Sequence, residues 1–329
     1  MVYRERSTWV VRDVNILKDE HEIDEIYFTS MRNLKNIMNL YKCICEADLV
    51  FTWFANDHSF IASQFAKILR KPILVAVGGG DVTAIRTLEY GNLLRYPWKF
   101  YVSRSLNSAD LILSPSFFTK KEILTRLKKV NPEKVLVLYH GFNPEKYLPH
   151  EYKEDMVVTI GFIDRVTVFR KGFIYVVRVA KFFPNVRFII IGKARDNTID
   201  ILKSMAPPNV KFMGFLPEKD LIRFLQKSKV YVQPSLYESF GCAVVEAMLA
   251  ENVPVVTKRG ALPEVVGPAG IYVSYGDIFS LRRAIKTALN RPELGKKARA
   301  RAMKLFNIYN RKQVLLRIVR FLIEEKGNE

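Results

Sequence analysis

Apolar, strand-like runs alternate with amphipathic, helix-like segments along this chain, and the whole pattern occurs twice. In the first half the strand candidates are ADLVFTWFA, KPILVAVGG, ADLILSPS and EKVLVLYHG. Segments between them, such as HSFIASQFAKILR, repeat apolar residues every three or four positions, which is typical of packed helices. Strands that are apolar throughout and separated by helices predict an α/β fold with parallel sheets.

The second half restarts this pattern. Its strand candidates are MVVTIGFI, VRFIIIGKA, NVKFMGFL, KVYVQPS and NVPVVTKRG. A polar, proline-bearing stretch from Pro144 to Asp155 separates the halves. We therefore predict two tandem Rossmann-like domains, residues 1–146 and 147–329. The last helix candidate, RKQVLLRIVRFLIEEK, has one apolar face, and we expect it to pack back on the N-terminal domain.

Composition limits the partners and the compartment. Lysine and arginine number 52 against 33 acidic residues, a formal charge of +19. This balance is typical of a protein with an anionic partner, and also of a lysine-rich soluble surface. The sequence contains no nucleic-acid-binding motif, so we predict no nucleic-acid partner. The three cysteines lack metal-ligand spacing, which favours a reducing, cytoplasmic compartment and no metal site.

Two glutamates flank a short, small-residue segment in SLYESFGCAVVEAM. Glu238 lies in the loop after the strand candidate KVYVQPS, and Glu246 lies in the second turn of a helix predicted to start at Gly241. Small residues at a helix N-terminus let backbone N–H groups approach a phosphate. A carboxylate can accept two hydrogen bonds from a vicinal diol such as that of ribose. The pattern fits a nucleotide-sugar site, and it also fits a solvated helix with two surface glutamates.

The stretch PSLYESFGCAVVEAMLAENVPVV, followed by GALPEVVG, resembles the signature of retaining GT-B glycosyltransferases. The family, glycosyl transferases group 1 or family 4, includes sucrose-phosphate and glycogen synthases, and this chain looks archaeal in type. VRFIIIGKA, NVKFMGFLPEKDL, ADLILSPSFFTKKEI and VLYHGFNPEKYLP also match in order and spacing. The resemblance implies transfer of a sugar from a UDP- or GDP-linked donor to a glycan or lipid-linked acceptor, with no cofactor and no metal.

The resemblance also implies roles for individual residues. Glu238 would contact the donor sugar, and Glu246 the ribose. Backbone N–H groups facing the sugar and diphosphate would come from Ser239, Phe240, Gly241 and Cys242. On this assignment Cys242 is a small packing residue and not a nucleophile. Gly214 and Phe215 match the base-binding turn of the family, although they could simply end a strand.

Members of the family hold the diphosphate with a basic pair in the first loop of the second domain. Lys171 matches the lysine of that pair. The arginine usually follows the loop glycine directly, where this chain has Phe162. Arg165 and Arg170 are the candidates to replace it, and we favour Arg165. Either cation would offset charge on the leaving nucleoside diphosphate; the plain alternative is a solvated basic loop.

The acceptor side departs from the family pattern. VAVGGGDVTA resembles the family's His-Gly-x-Asp segment, but Gly78 stands where histidine is common. Gly79, Gly80 and Asp81 remain, and Asp81 could orient an acceptor hydroxyl or cap the next helix. His58 could contact acceptor or phosphate, or be a polar loop histidine. Because the donor's phosphate is thought to help deprotonate the acceptor in this family, no protein base is required.

The N-terminus departs further. Family members open with an apolar strand and a glycine-rich loop, whereas here Trp9 to Leu17 already looks like the first helix and EIDEIYF like the next strand. We therefore expect the first central strand to be lacking or reduced. Either the true start lies upstream or the domain is truncated.

The segment EYGNLLRYPWKFYVSR interleaves aromatic and basic residues. It could rest on an anionic membrane surface and receive a lipid-linked sugar, or form an ordinary packed amphipathic helix. With the +19 charge, it leads us to expect peripheral association with the cytoplasmic face of a membrane.

Two other functions remain open on the sequence. One is a catalytically weak GT-B-like binding subunit of a glycosyltransferase complex, which Gly78 and the expected lack of a strand would suit. The other is a nucleotide-sugar epimerase, which would need different acids and a cleft histidine.

Overall fold

The computed structural model describes residues 1–327 and divides into two compact units. The first contains Met1–Gly141 and the C-terminal helix from Ile308, and the second is Phe142–Asn307. Each unit is built on one parallel sheet with helices. The predicted α/β class with two tandem Rossmann-like domains is therefore confirmed. The second unit begins at Phe142, a little before the predicted boundary, and residues 328–329 of the predicted second domain lie outside the described residues.

The first unit up to Gly141 alternates strands and helices. In chain order they are β1 (Val2–Tyr3), α1 (Thr8–Leu17), β2 (Ile26–Tyr27), α2 (Leu34–Glu46), β3 (Val50–Trp53), α3 (Asp57–Ile68), β4 (Ile73–Ala76), α4 (Trp98–Ser108), β5 (Leu111–Ser114), α5 (Phe117–Arg126) and β6 (Val135–Val137). The described strands lie in the order β2-β1-β3-β4-β5-β6, all parallel. The residues of β3 and β4 are buried throughout, as their continuous apolar sequence predicts.

The second unit repeats this plan. Its elements are β7 (Glu154–Ile160), α6 (Arg165–Lys171), α7 (Phe173–Ala180), β8 (Arg187–Ile191), α8 (Thr198–Met205), β9 (Val210–Gly214), α9 (Glu218–Lys227), β10 (Ser228–Gln233), α10 (Cys242–Leu249), β11 (Val253–Thr257), α11 (Leu262–Val266), β12 (Ile271–Val273), α12 (Ile278–Leu289) and α13 (Glu293–Leu305). The described strands lie in the order β12-β11-β10-β7-β8-β9, again parallel.

The first strand of the first sheet is short but present. Val2 pairs with Ile26 of β2 on one side and with Thr52 of β3 on the other, and both residues of β1 are buried. The expectation that this strand is lacking is therefore wrong, and the alternative of a reduced strand describes the structure. Helix α1 begins at Thr8, one residue before the predicted start.

The last helix, α14 (Ile308–Gly327), belongs to the first unit. Its apolar residues Leu315 and Leu322 are buried in the cluster that also holds Val10 and Val14 of α1. The burial of a helical face against an apolar cluster is the main source of its stability. Within residues 1–327, none of the helices is both long enough and apolar enough to cross a membrane.

A buried ion pair fixes the start of α14. Arg311 donates to both carboxylate oxygens of Asp13 in α1 at 2.7 Å, and both side chains are buried. The indole Nε1 of Trp53 also donates to Asp13 at 3.0 Å, and Arg311 donates to the carbonyl of Tyr139 at 2.8 Å. Charges removed from water need such partners, so this bidentate ion pair holds α14 and α1 in one arrangement.

Candidate functional site

The strand order of the second unit defines one place where a ligand would bind. From β7 the chain moves outward through β8 to β9, and from β10 it moves the opposite way through β11 to β12, so β7 and β10 are neighbours. Open parallel sheets bind ligands outside the carboxyl ends of their strands at such a reversal. The loops after β7 and β10 therefore frame the candidate site, and the second of them carries Glu238.

Glycines let two neighbouring segments press against the loop that carries Glu238. Gly172 has φ +75°, and a Cβ added to it would lie 2.4 Å from the carbonyl oxygen of Pro234. A Cβ on Gly260 would lie 2.3 Å from the carbonyl oxygen of Glu238, which also accepts a 2.9 Å hydrogen bond from the N–H of Ala261. Only glycine allows such approaches, so these contacts fix the backbone on either side of the loop.

The Glu238 carboxylate lies in a network of charge. Its Oε1 is 3.2 Å from Nη1 of Arg170, 3.5 Å from Nζ of Lys171 and 3.0 Å from Nε2 of Gln233, which donates to it. Glu238 is only 7% exposed, so these partners replace the water that it has lost. Two cations against one carboxylate leave this cluster with a net positive charge.

Lys171 joins the ends of the two central strands. Its Nζ donates to the carbonyl of Ile160, the last residue of β7, and to the side-chain oxygen of Gln233, the last residue of β10, each at 3.2 Å. The aliphatic part of the Lys171 side chain packs against Gly161, where an added Cβ would lie 2.8 Å from Lys171 Cδ. Burial lowers the pKa of the Lys171 ammonium, and the nearby Glu238 carboxylate opposes this effect.

Sequence reasoning missed Gln233. Its side-chain oxygen accepts from both Tyr231 Oη at 2.9 Å and Lys171, while its amide donates to Glu238. The available signal was a polar residue at the end of the apolar run KVYVQPS, which has no reason to be buried unless it makes such contacts.

The structure brings Arg170, and not Arg165, to Glu238. Arg165 is the exposed first residue of α6, and its backbone N–H donates to Asp196 at 3.0 Å. Arg170 lies in the last turn of the same helix, beside Lys171. Arg170, and not Arg165, is therefore the second cation beside Glu238, together with Lys171.

Helix α10 starts at the candidate site. Gly241 precedes it with φ +101°, a conformation that favours glycine, and Cys242 is its first residue. Glu246 is half-buried in the second turn. The N-terminal end of a helix attracts anions, so α10 adds to the positive potential of the cations beside Glu238.

Between Glu238 and α10, Phe240 is buried in the core and Ser239 is partly accessible to solvent. The ring of Phe240 is buried between Phe142, at 6.5 Å and parallel to it, and Phe306, at 5.3 Å and edge-on. Ser239 is half-buried. The Phe240 side chain thus anchors the backbone from which the predicted N–H donors project.

The predicted base-binding pair lies at a sheet edge. Gly214 ends β9, the outermost strand on its side, with φ +67° and no atom within 4 Å of an added Cβ. Phe215 is 74% exposed. An exposed aromatic ring beside an open turn is compatible with base stacking, and this role stays a prediction.

In the first unit, Asp81 ties two loops together. Its carboxylate accepts hydrogen bonds from the backbone N–H groups of Ala55 at 2.9 Å, Gly79 at 2.8 Å and Gly78 at 3.1 Å. Burial raises the pKa of this carboxyl, and the backbone donors oppose that shift. The side chain thus joins the segment after β3 to the segment after β4. Gly80 is also confined, since its added Cβ would lie 2.7 Å from Tyr90 Oη.

His58 is a core residue and not a loop residue. It lies in the first turn of α3 with no exposed surface, which overturns the prediction of a polar loop histidine. Its Nε2 donates to the carbonyl of Trp53 at 2.7 Å, and its Nδ1 lies 3.7 Å from Asp57. The enclosed ring does not reach solvent, so the predicted contact with acceptor or phosphate has no support in this geometry.

The fold is that of the GT-B class, and comparison with known proteins relates the second half of the chain to one family. Residues 145–305 match the family described as glycosyl transferases group 1. For this part of the chain, the predicted resemblance to glycosyl transferases group 1 is confirmed.

Individual relatives agree with this family. The chain is 27% identical over 230 residues to O-antigen chain mannosyltransferase B of Escherichia coli, covering 64% of this chain and 59% of that protein. It is 26% identical over 194 residues to one component of the human phosphatidylinositol N-acetylglucosaminyltransferase, covering 56% and 39%. The match thus spans about half the length of these relatives.

The solved structure of HepE from Anabaena, in complex with UDP and glucose, has the same fold. It superposes with a TM-score of 0.80 over 97% of this chain and 98% of that one, at 17% identity. At this identity the likeness establishes the fold and leaves the chemistry to the residues of the site.

Proposed function

We propose that this protein is a retaining glycosyltransferase that moves a sugar from a nucleotide-diphosphate donor to a glycan or lipid-linked acceptor. The observation that carries the proposal is the buried cluster of Glu238, Lys171 and Arg170 at the strand reversal of the second unit, directly before α10. The E. coli relative is named a mannosyltransferase, and HepE was solved with UDP and glucose. These names support the class of reaction.

The two cations suit a diphosphate leaving group. Lys171 and Arg170 together exceed the single charge of Glu238, and the N-terminus of α10 lies beside them. When the bond between sugar and phosphate breaks, negative charge grows on the departing nucleoside diphosphate. Fixed positive groups in a site shielded from water stabilise that charge more in the transition state than in the bound donor.

The two glutamates would hold the two ends of the donor. Glu238, already oriented by three partners, would accept hydrogen bonds from sugar hydroxyls, and Glu246 would accept them from the ribose diol. We assign no protein base. The leaving diphosphate and the acceptor hydroxyl would lie on the same face of the sugar, so a phosphate oxygen of the donor would accept the proton of that hydroxyl. The donor is a UDP- or GDP-linked sugar, and the proposal uses no metal and no cofactor.

The acceptor is proposed to be lipid-linked or a cell-surface glycan, with the loops after β3 and β4 contributing to its binding. The human relative's name includes phosphatidylinositol, and the E. coli relative's name an O-antigen chain. In this scheme Asp81 acts as a positioning residue, because its oxygens are occupied by backbone donors. The comparisons favour neither a catalytically weak binding subunit nor an epimerase.

Sugar transfer from labelled donors tests the proposal. The purified protein would be incubated with UDP- and GDP-linked sugars and with lipid and glycan extracts, and the product's anomeric configuration read by NMR. We expect transfer from one donor with the donor's configuration kept, and loss of transfer in Glu238→Gln. Inversion of configuration would reject the retaining mechanism, and hydrolysis or transfer unaffected by Glu238→Gln would reject the site.

A further inference from the structure

A cavity of about 930 Å³ opens in the first unit, at the opposite end of the sheet strands from the Asp81 loop. Its lining includes Ile73, the first residue of β4, Asp110, which precedes β5, and Lys134, which precedes β6. The cavity thus lies at the amino ends of three strands, whereas Asp81 follows the carboxyl end of β4. None of the residues proposed to hold donor or acceptor lines it.

The cavity is strongly cationic. Among its described lining residues, the cations are Lys67, Arg70, Lys71, Arg104, Lys129 and Lys134. Asp110 supplies the one carboxylate of that lining, and its Oδ2 accepts a 2.7 Å hydrogen bond from the backbone N–H of Ile73. Within residues 1–327, ion pairs with carboxylates are absent for Lys67, Arg70, Lys71, Arg104 and Lys129.

The backbone at the mouth of this cavity is also unusual. Arg70 has φ +54°, a left-handed conformation that costs energy for any residue except glycine. It follows α3, where glycine commonly ends a helix. Arg70 therefore opposes folding in two ways, through its left-handed backbone conformation and through repulsion from the neighbouring cations. The presence of arginine at this position points to a use for its charge.

We propose that this cavity, which we call the cationic cavity, binds the phosphate groups of an anionic ligand. Guanidinium groups hold phosphate oxygens in pairs, and ammonium groups add point charge, so Arg70, Arg104 and the lysines form a matching set of donors. Such a ligand would relieve the repulsion among the cations. The donor site of the second unit plays no part in this proposal.

The phosphate could belong to a lipid headgroup or to a soluble molecule, and the rim favours a lipid. Ile68, next to Lys67, is 72% exposed, and Tyr96 is 83% exposed with its ring 6.4 Å from that of Phe100, which lines the cavity. Apolar side chains beside cations suit the boundary between headgroups and acyl chains.

Sedimentation with vesicles tests the lipid source. The full chain would be mixed with vesicles of phosphatidylcholine alone or with phosphatidylglycerol added. Because any protein with this positive charge is drawn to an anionic surface, the test is a comparison of two variants with equal charge. Lys67→Glu with Arg104→Glu changes the cavity, and Lys35→Glu with Lys42→Glu changes exposed residues of α2.

We expect the cavity variant to bind anionic vesicles on the order of tenfold more weakly than the α2 variant. Equal binding of the two variants to anionic vesicles, together with no calorimetric binding of inorganic tripolyphosphate, would overturn the proposal. Stabilisation by a nucleotide sugar should be the same in both variants, since the proposed donor residues lie in the second unit. Failure of the donor site would therefore be seen separately.

Calorimetry with inorganic tripolyphosphate tests the soluble source. Binding of tripolyphosphate that is lost in the cavity variant, without a difference between the variants on vesicles, would assign the cavity to a soluble phosphate ligand. A third variant, Arg70→Gly, separates binding from folding. We expect Arg70→Gly to melt at the same or a higher temperature, because glycine adopts φ +54° without cost. We also expect it to bind anionic vesicles or tripolyphosphate more weakly than the parent protein. Unchanged binding in Arg70→Gly would remove this residue from the site.

Discussion

The ammonium of Lys171 lies 3.5 Å from the carboxylate of Glu238, at the point where β7 and β10 end side by side. The two residues are 67 positions apart in the chain, and they meet because the strand order reverses between these two strands. In the proposed reaction, this pair would place a cation for the leaving group beside an acceptor for a sugar hydroxyl.

Replacing Glu238 by glutamine should lower turnover more than donor affinity. The amide keeps the shape of the side chain but loses the negative charge that strengthens hydrogen bonds from sugar hydroxyls. Loss of such a charged hydrogen bond should lower kcat about 10- to 100-fold. Steady-state kinetics with the identified donor would measure this. The control is Glu218→Gln, a change to an exposed glutamate of α9, which should leave kcat and KM as they are. A KM change without a kcat change would assign Glu238 to simple binding.

The stability of the second unit should rise with pH because of Lys153. This lysine donates to the carbonyls of Ser228 and Ala250, and burial lowers its pKa from 10.5 to about 8. Since the unfolded lysine keeps its proton to a higher pH, the unfolded state binds more protons between these two values. The free energy of unfolding therefore increases as pH rises through that window.

The size of this effect is on the order of 3 kcal/mol between pH 8 and pH 10.5. Denaturation of the parent protein and of Lys153→Met over this range would isolate it as the difference between the two curves. Parallel curves would show that Lys153 titrates with an ordinary pKa in the folded protein.

Replacing Gly172 by alanine should destabilise the second unit more than an equivalent change elsewhere. Its Cβ would lie 2.4 Å from the carbonyl oxygen of Pro234, whereas a Cβ on Gly276 would lie no closer than 3.5 Å to its nearest neighbour, Tyr175. Both glycines have positive φ, so both substitutions cost about 1 kcal/mol for conformation. We expect Gly172→Ala to cost roughly 1–3 kcal/mol more for the clash. Calorimetric unfolding of the two variants compares them, and equal losses would mean that the loop can move aside.

Breaking the pair of Asp13 and Arg311 should destabilise the first unit strongly. Arg311→Met leaves a buried carboxylate whose described partner is the indole of Trp53, and such a change costs about 3–5 kcal/mol. The double variant Asp13→Leu with Arg311→Met should lose less, because no charge remains buried. Additive losses would show that the two side chains do not act as a pair.

Fluorescence gives this experiment its selectivity. The tryptophans of the chain are Trp9, Trp53 and Trp98, and all belong to the first unit. Tryptophan emission during denaturation therefore reports on that unit, while circular dichroism reports on both. A loss seen equally by both probes at one midpoint would mean that the units unfold together.

The fold followed from the sequence because parallel strands buried on both faces carry a continuous apolar signal, as in KVYVQPS and VRFIIIGKA. The short β1 escaped because Val2 and Tyr3 are too few to form a recognisable run, and their pairing with β2 and β3 makes them a strand. A strand of two residues is defined by its neighbours and not by its own sequence.

The candidate site was predicted in part. The glutamates stand in a local motif, and the resemblance of that motif to the family signature assigned them to a site, since their spacing alone also fits a solvated helix. The choice between Arg165 and Arg170 depends on which end of α6 faces β10, and a sequence without coordinates does not contain that direction. Asp81 and His58 were likewise judged by residue type, whereas their roles depend on burial and on nearby backbone groups.

The central claim is that the second unit binds a nucleotide-diphosphate sugar through α10 and its neighbouring cations. Thermal unfolding of the purified protein with UDP- and GDP-linked sugars tests it most directly, since a ligand that binds the folded state raises the melting temperature. We predict a rise with one donor, and its loss in Glu246→Gln and Lys171→Met but not in the controls Glu218→Gln and Lys153→Met. No rise with any donor, or a rise that survives in both Glu246→Gln and Lys171→Met, would contradict the account.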